Sequence, residues 1–112
     1  MNELATRKCK PCEGGTAPLT RAAAEQLLAQ ISRSWVLSED GRAIRRELSF
    51  RDFYRTMSFA NALAHIANIE DHHPDLEVGY NYCHVTFTTH AIGGLSENDF
   101  VCAAKLDLIP LN

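Results

Sequence analysis

Three stretches of the chain repeat apolar residues at helical spacing, and the stretches between them alternate apolar with polar residues. Thr20 can cap the first helix, which runs to about residue 32 with Ala24, Leu27, Leu28 and Ile31 as its buried stripe. Trp35, Val36 and Leu37 read as a short strand. Glu39-Asp40-Gly41 supplies a hairpin turn, because Asp-Gly accepts positive φ. Residues 43–50 form the returning strand, with Ile44, Leu48 and Phe50 on one face and Arg45 and Glu47 on the other. Ser49 and Asp52 resemble a capping box for a long helix over residues 50–70. Phe53, Met57, Ala60, Ala64 and Ala67 mark its core stripe. Pro74 prevents that helix from continuing through His73, since the residue ahead of a proline avoids the α region.

Residues 76–82 and 83–89 read as two further strands. In the second, Val85 and Phe87 point one way, and His84, Thr86, Thr88 and His90 point the other. Gly93-Gly94 breaks the chain, and Ser96 with Asp99 forms a second capping box. The last helix runs to about residue 107, with Phe100, Val101, Ala104 and Leu108 on its apolar side. The order α-β-β-α-β-β-α predicts an α+β fold: a four-stranded, mostly antiparallel sheet with helices packed on one face. The other face carries the polar row, which is either solvated or used in assembly. Residues 1–18 read as a flexible leader ahead of a single domain over residues 19–112.

Composition narrows the classes of function. A formal net charge of −3 disfavours direct nucleic-acid binding, which rests on clustered Lys and Arg. No apolar run approaches the roughly 20 residues of a membrane span. The first residues lack an apolar signal-like core, so a cytoplasmic, reducing location is expected. Cys83 and Cys102 fall inside periodic segments and behave as small core residues. Cys9-Lys10-Pro11-Cys12 is a CxxC that reads as a zinc half-site, a redox pair or simply part of the polar leader. No partner pair for a structural zinc site stands nearby.

All 5 histidines fall between His65 and His90, and that clustering changes the picture most. His72 and His73 lie where the long helix must stop, and His90 at the end of a strand. Such positions let a rigid scaffold aim side chains. Imidazole titrates near neutrality, so two or three of them around one ligand can give a proton at one place and take one at another. That suits a dehydration or an isomerisation and needs no nucleophile. Two other readings use the same residues: a three-histidine metal site, and histidines of an ordinary surface or interface. Adjacent histidines in extended chain point apart, which weakens the metal reading. His65 reads as a partly exposed residue of the long helix, away from its main stripe, and His84 as structural or at an interface.

The ordered set His72-His73-Pro74, Tyr80, His90 and Asp99 resembles the pterin-4a-carbinolamine dehydratases, over roughly residues 20–108. The contexts Asp71-His72-His73-Pro74-Asp75, Thr88-Thr89-His90 and Gly94-Leu95-Ser96-Glu97-Asn98-Asp99 also look like members of that family. The resemblance implies dehydration of a 4a-hydroxytetrahydropterin to the quinonoid dihydropterin, recycling the cofactor of aromatic amino-acid hydroxylases. It implies His72, His73 and His90 as catalytic residues, and Asp71, Thr88, Thr89, Ala91 and Asp99 as substrate-binding. It implies no metal and no cofactor, the pterin being the substrate. It further implies a homodimer or homotetramer and a functional link to a hydroxylase. Some members serve instead as dimerisation cofactors of a transcription factor, a non-enzymatic alternative on the same fold. Two positions depart from the pattern: Asn68, where members often carry an acid, and Asn98, where some carry arginine.

Overall fold

The computed structural model describes residues 3–11 and 14–111. Seven regular elements follow the predicted order: α1 (Arg21–Leu28), β1 (Val36–Leu37), β2 (Ile44–Ser49), α2 (Phe53–Glu70), β3 (Asp75–Val78), β4 (Tyr82–Phe87) and α3 (Glu97–Leu106). The strands form one sheet of order β1-β2-β4-β3, antiparallel at every pairing. Ile44, Leu48, Cys83, Val85 and Phe87 turn toward the core, where they meet Phe59, Leu63, Phe100, Val101 and Leu106 from α2 and α3. The opposite sheet face is polar. Arg45 there reaches Glu77 at 2.7 Å, Glu47 at 3.0 Å and Nδ1 of His84 at 3.1 Å.

Arg46 shares the core face of β2 with Ile44 and Leu48, and its charge is met at the end of α3. Its Nη1 lies 2.6 Å from Oδ1 of Asp107. The same carboxylate accepts from Trp35 Nε1 at 2.9 Å and from the Ser32 amide at 2.8 Å. One side chain thus ties the end of α3 to β2 and to the segment between α1 and β1.

Several local expectations are corrected. Helix α1 ends at Leu28 and continues only as turns. Helix α2 starts at Phe53, because Asp52 rather than Ser49 is its cap: the Asp52 carboxylate accepts the Arg55 amide at 2.9 Å. Its buried stripe is Thr56, Phe59, Ala60, Leu63 and Ala67, so Phe53, Met57 and Ala64 of the expected stripe fall outside it. Apolar residues surround this helix, and burying Phe59 and Leu63 removes more area from water than burying alanines. Tyr54 and Ile69 remain exposed on its outer side. Strands β3 and β4 are shorter than expected because Gly79, Tyr80 and Asn81 make the hairpin. A Cβ on Gly79 would lie 2.1 Å from the Tyr82 ring, so a side chain there would have to displace that ring. Leu108 is exposed, since α3 stops at Leu106. No described helix is long and apolar enough to cross a membrane.

The leader segment also differs from its reading as a flexible stretch. Glu3–Thr6 forms a short 3-10 helix whose Leu4 is fully buried in the core. Arg7 pairs with Glu97, and Lys105 Nζ donates to the Ala5 carbonyl at 3.0 Å. Cys12 of the CxxC lies outside the described residues.

Candidate active site

Helix α2 ends in a left-handed residue, Asp71, at φ 51° and ψ 42°. Aspartate tolerates this conformation better than most residues. The amides of Asp71 and His72 return to the last turn of the helix, at the Asn68 and Ala67 carbonyls. The chain therefore turns sharply and places His72 and His73 in different surroundings. His72 enters the protein, with its ring stacked on Phe87 at 5.8 Å and 6°. His73 faces outward, its Nε2 3.0 Å from Oδ1 of Asn68. Asn68, the departure from the family's acid, thus still offers this histidine an acceptor oxygen.

Nε2 of His72 is 2.6 Å from Oδ1 of Asp99. The other oxygen of that carboxylate accepts from the Thr89 hydroxyl at 2.8 Å and from the Ser96 amide at 2.9 Å. The predicted capping box of α3 is therefore present, and its carboxylate serves the histidine as well. Thr89 is placed for this by its backbone bridge to Gly94, with its amide donating at 2.8 Å. A Cβ on Gly94 would come within 2.7 Å of Pro18, so that bridge also depends on a missing side chain.

His90 opens a 3-10 turn, His90–Ile92, instead of extending β4. Its Nε2 stands 3.9 Å from Oδ2 of Asp75, and both side chains are largely exposed. The three histidines meet at one cavity of about 560 Å³. Asp71, Thr88, Thr89 and Ala91 line it with them. Thr88 is fixed by donating its hydroxyl to the Arg42 carbonyl at 2.6 Å. Two residues of the resemblance lie elsewhere. Asp99 is fully buried behind His72, not on the cavity wall. Tyr80 stacks on Phe53 at the far hairpin, with ring centroids 6.2 Å apart. Among the described residues no group of three or more His, Cys, Asp or Glu is arranged to hold a metal ion.

Sequence reading missed four lining residues: Cys9, Lys10, Pro11 and Asn98. Periodicity could not find them, because the first three belong to no regular element. The signal that existed was Leu4, an apolar residue in an otherwise polar leader. Cys9 Sγ lies 3.4 Å from Cys102 Sγ. That hydrogen bond and burial together push the Cys102 thiol well above its ordinary range.

The arrangement brings three imidazoles together with Asp71, Thr88 and Thr89 at one cavity. The family described as Pterin 4 alpha carbinolamine dehydratase matches residues 17–109. A protein of Nitrosomonas eutropha is 57% identical over 107 residues, covering 96% of this chain and 93% of its own. One of Legionella pneumophila strain Lens is 56% identical over 106 residues, covering 95% of this chain and 94% of its own. Both are named provisionally as pterin-4-alpha-carbinolamine dehydratases. A crystal structure of a transcriptional coactivator/pterin dehydratase from Brucella melitensis aligns with a TM-score of 0.73 and 33% identity. That match covers 80% of this chain and 94% of the Brucella chain.

Proposed function

The chain belongs to the pterin 4 alpha carbinolamine dehydratase family, and on that premise we propose that it dehydrates a 4a-hydroxytetrahydropterin by histidine acid–base catalysis. The observation that carries this reading is the convergence of His72, His73 and His90 on one cavity, although they come from two separate segments.

In the proposed reaction the C4a–O bond breaks and the leaving oxygen takes a proton from an imidazolium. The N5–H proton passes to a neutral imidazole, and the electron pair it leaves forms the C4a–N5 double bond. Water and the quinonoid dihydropterin result. No electrons are exchanged with a partner, so the pterin enters as substrate and the chemistry asks only for proton carriers. His72 is the carrier with fixed aim. If neutral and donating Nε2–H to Asp99, it keeps its lone pair on Nδ1. His73 and His90 are exposed and can exchange protons with water. Asp71, Thr88, Thr89 and Ala91 would contact the pterin edge. In a cell this activity would return the pterin cofactor of an aromatic amino-acid hydroxylase to use, in the cytoplasm. A homo-oligomer is supported by the exposed apolar side chains of α2 and of the edge strand β3, and sedimentation equilibrium reads it.

The test is stopped-flow absorbance of freshly generated 4a-hydroxytetrahydropterin. Wild type should speed its decay, and His73→Ala and His90→Ala should each slow turnover by roughly 10²–10⁴-fold. Unaltered decay with wild type, or unaltered turnover in both variants, would sink the proposal.

A further inference from the structure

Cys9, Lys10 and Pro11 stand far from the histidines in sequence, yet they line the same cavity. Their position is built. The Cys9 amide donates to Oε1 of Glu70 at 2.8 Å, at the last residue of α2. The Cys9 thiol sits 3.6 Å from the Asn98 carbonyl oxygen. Most specific is the grip on Lys10. Its amide donates to Oδ1 of Asn98 at 2.9 Å, and its carbonyl accepts from Nδ2 of the same side chain. The Asn98 carboxamide pairs with both the amide and the carbonyl of one residue, as a neighbouring strand would. Asn98 is only 7% exposed, so these bonds are sheltered from water.

Asn98 also directly precedes Asp99, the residue that holds His72. A single turn of α3 therefore fixes two walls of the cavity: the histidine through Asp99 and the leader through Asn98. We propose that residues 9–11 are a substrate-contacting wall of the site, and that Asn98 is the positioning residue that holds this wall in place. The proposal rests on the pterin reading above and adds to it a specificity element from outside the matched family region, which begins at residue 17. Asparagine suits this position because it has one donor and one acceptor on a planar group. Aspartate would lose the donor, and leucine would lose both.

The experiment measures binding of 7,8-dihydrobiopterin by calorimetry, and KM and kcat for dehydration, in wild type and two variants. Asn98→Leu removes the grip from the α3 side. Lys10→Pro removes the donated N–H from the exposed leader side, where the fold is least at risk. Each should raise both the dissociation constant and KM about tenfold, the loss of roughly 1.4 kcal/mol of binding, while kcat stays within about twofold. A purely structural role would lower the melting temperature and kcat without that split. The wall proposal is overturned if either folded variant binds and turns over like wild type, or if wild type does not bind the pterin. Binding that responds to the variants, in a wild type that does not dehydrate, would count against the reaction alone.

Discussion

The Nε2 atom of His72 lies 2.6 Å from Oδ1 of Asp99, and no part of that aspartate reaches solvent. Thr89 and Ser96 supply two more hydrogen bonds to its other oxygen, so three donors converge on one carboxylate. This anchors the ring as an aspartate anchors an acid–base histidine, by fixing tautomer and aim. Asp99→Asn keeps the shape but replaces one acceptor oxygen with a donor. It should lower kcat by roughly 10²-fold or more, with an unchanged circular dichroism spectrum. A kcat within about threefold of wild type would show that the pair does not serve the reaction.

Asp107 makes a different kind of anchor. It receives Arg46, Trp35 and Ser32 at once, with its side chain 16% exposed and that of Arg46 12%. Asp107→Ala would leave a largely buried guanidinium without its counter-charge, and Nε of Arg46 already has no partner. We expect a loss of about 3–5 kcal/mol in urea unfolding. The double variant Arg46→Met/Asp107→Leu should recover the part due to the stranded charge, but not the two hydrogen bonds that Asp107 accepts from Trp35 and Ser32.

The cap of α2 gives a pH-dependent expectation. The Arg55 backbone amide, with help from the Arg55 and Arg51 charges, holds the Asp52 carboxyl below its ordinary value of 3.8. A group depressed in the folded state stabilises it fully above the unfolded value and loses that contribution as pH falls through the folded one. Asp52→Asn retains a capping oxygen but does not titrate. Wild type should melt higher than this variant at neutral pH, and the gap should close in acid below the usual carboxylate range. A gap that persists there would contradict the assignment.

Thiol reactivity should be graded by depth. Burial pushes the Cys83 thiol up, and the bond from Cys9 together with burial does so for Cys102. Both should stay protonated and inert to iodoacetamide in the native protein and react in denaturant. Peptide mass mapping reads the outcome. Native labelling of Cys102 at the rate of the unfolded chain would show that the leader does not cover it.

Much of this architecture was legible in the sequence. Alternation in β2 and β4 and helical spacing in α3 are strong local signals, and Ser96 with Asp99 is a cap with a defined bonding pattern. The stripe of α2 was misread for a physical reason: a helix apolar on several sides leaves its orientation to the competition among large side chains. Tertiary contact decides that competition, and periodicity does not record it. The histidines stand out in the sequence by their clustering and their place at element ends, and the resemblance to a family adds an order to three of them. The role of Asn98 was not legible, since its partner is a backbone unit almost ninety positions away, and backbone partners leave no trace in composition.

The left-handed turn at Asp71 has a consequence for timing as well as placement. Residues adjacent in sequence end up in unlike solvents, with His72 against Phe87 and Asp99, and His73 open to water. In the proposed reaction, one proton carrier keeps its aim through every turnover while its neighbour re-equilibrates with the bulk. If that reaction holds, one backbone conformation would serve both the carrier that must be aimed and the carrier that must meet water.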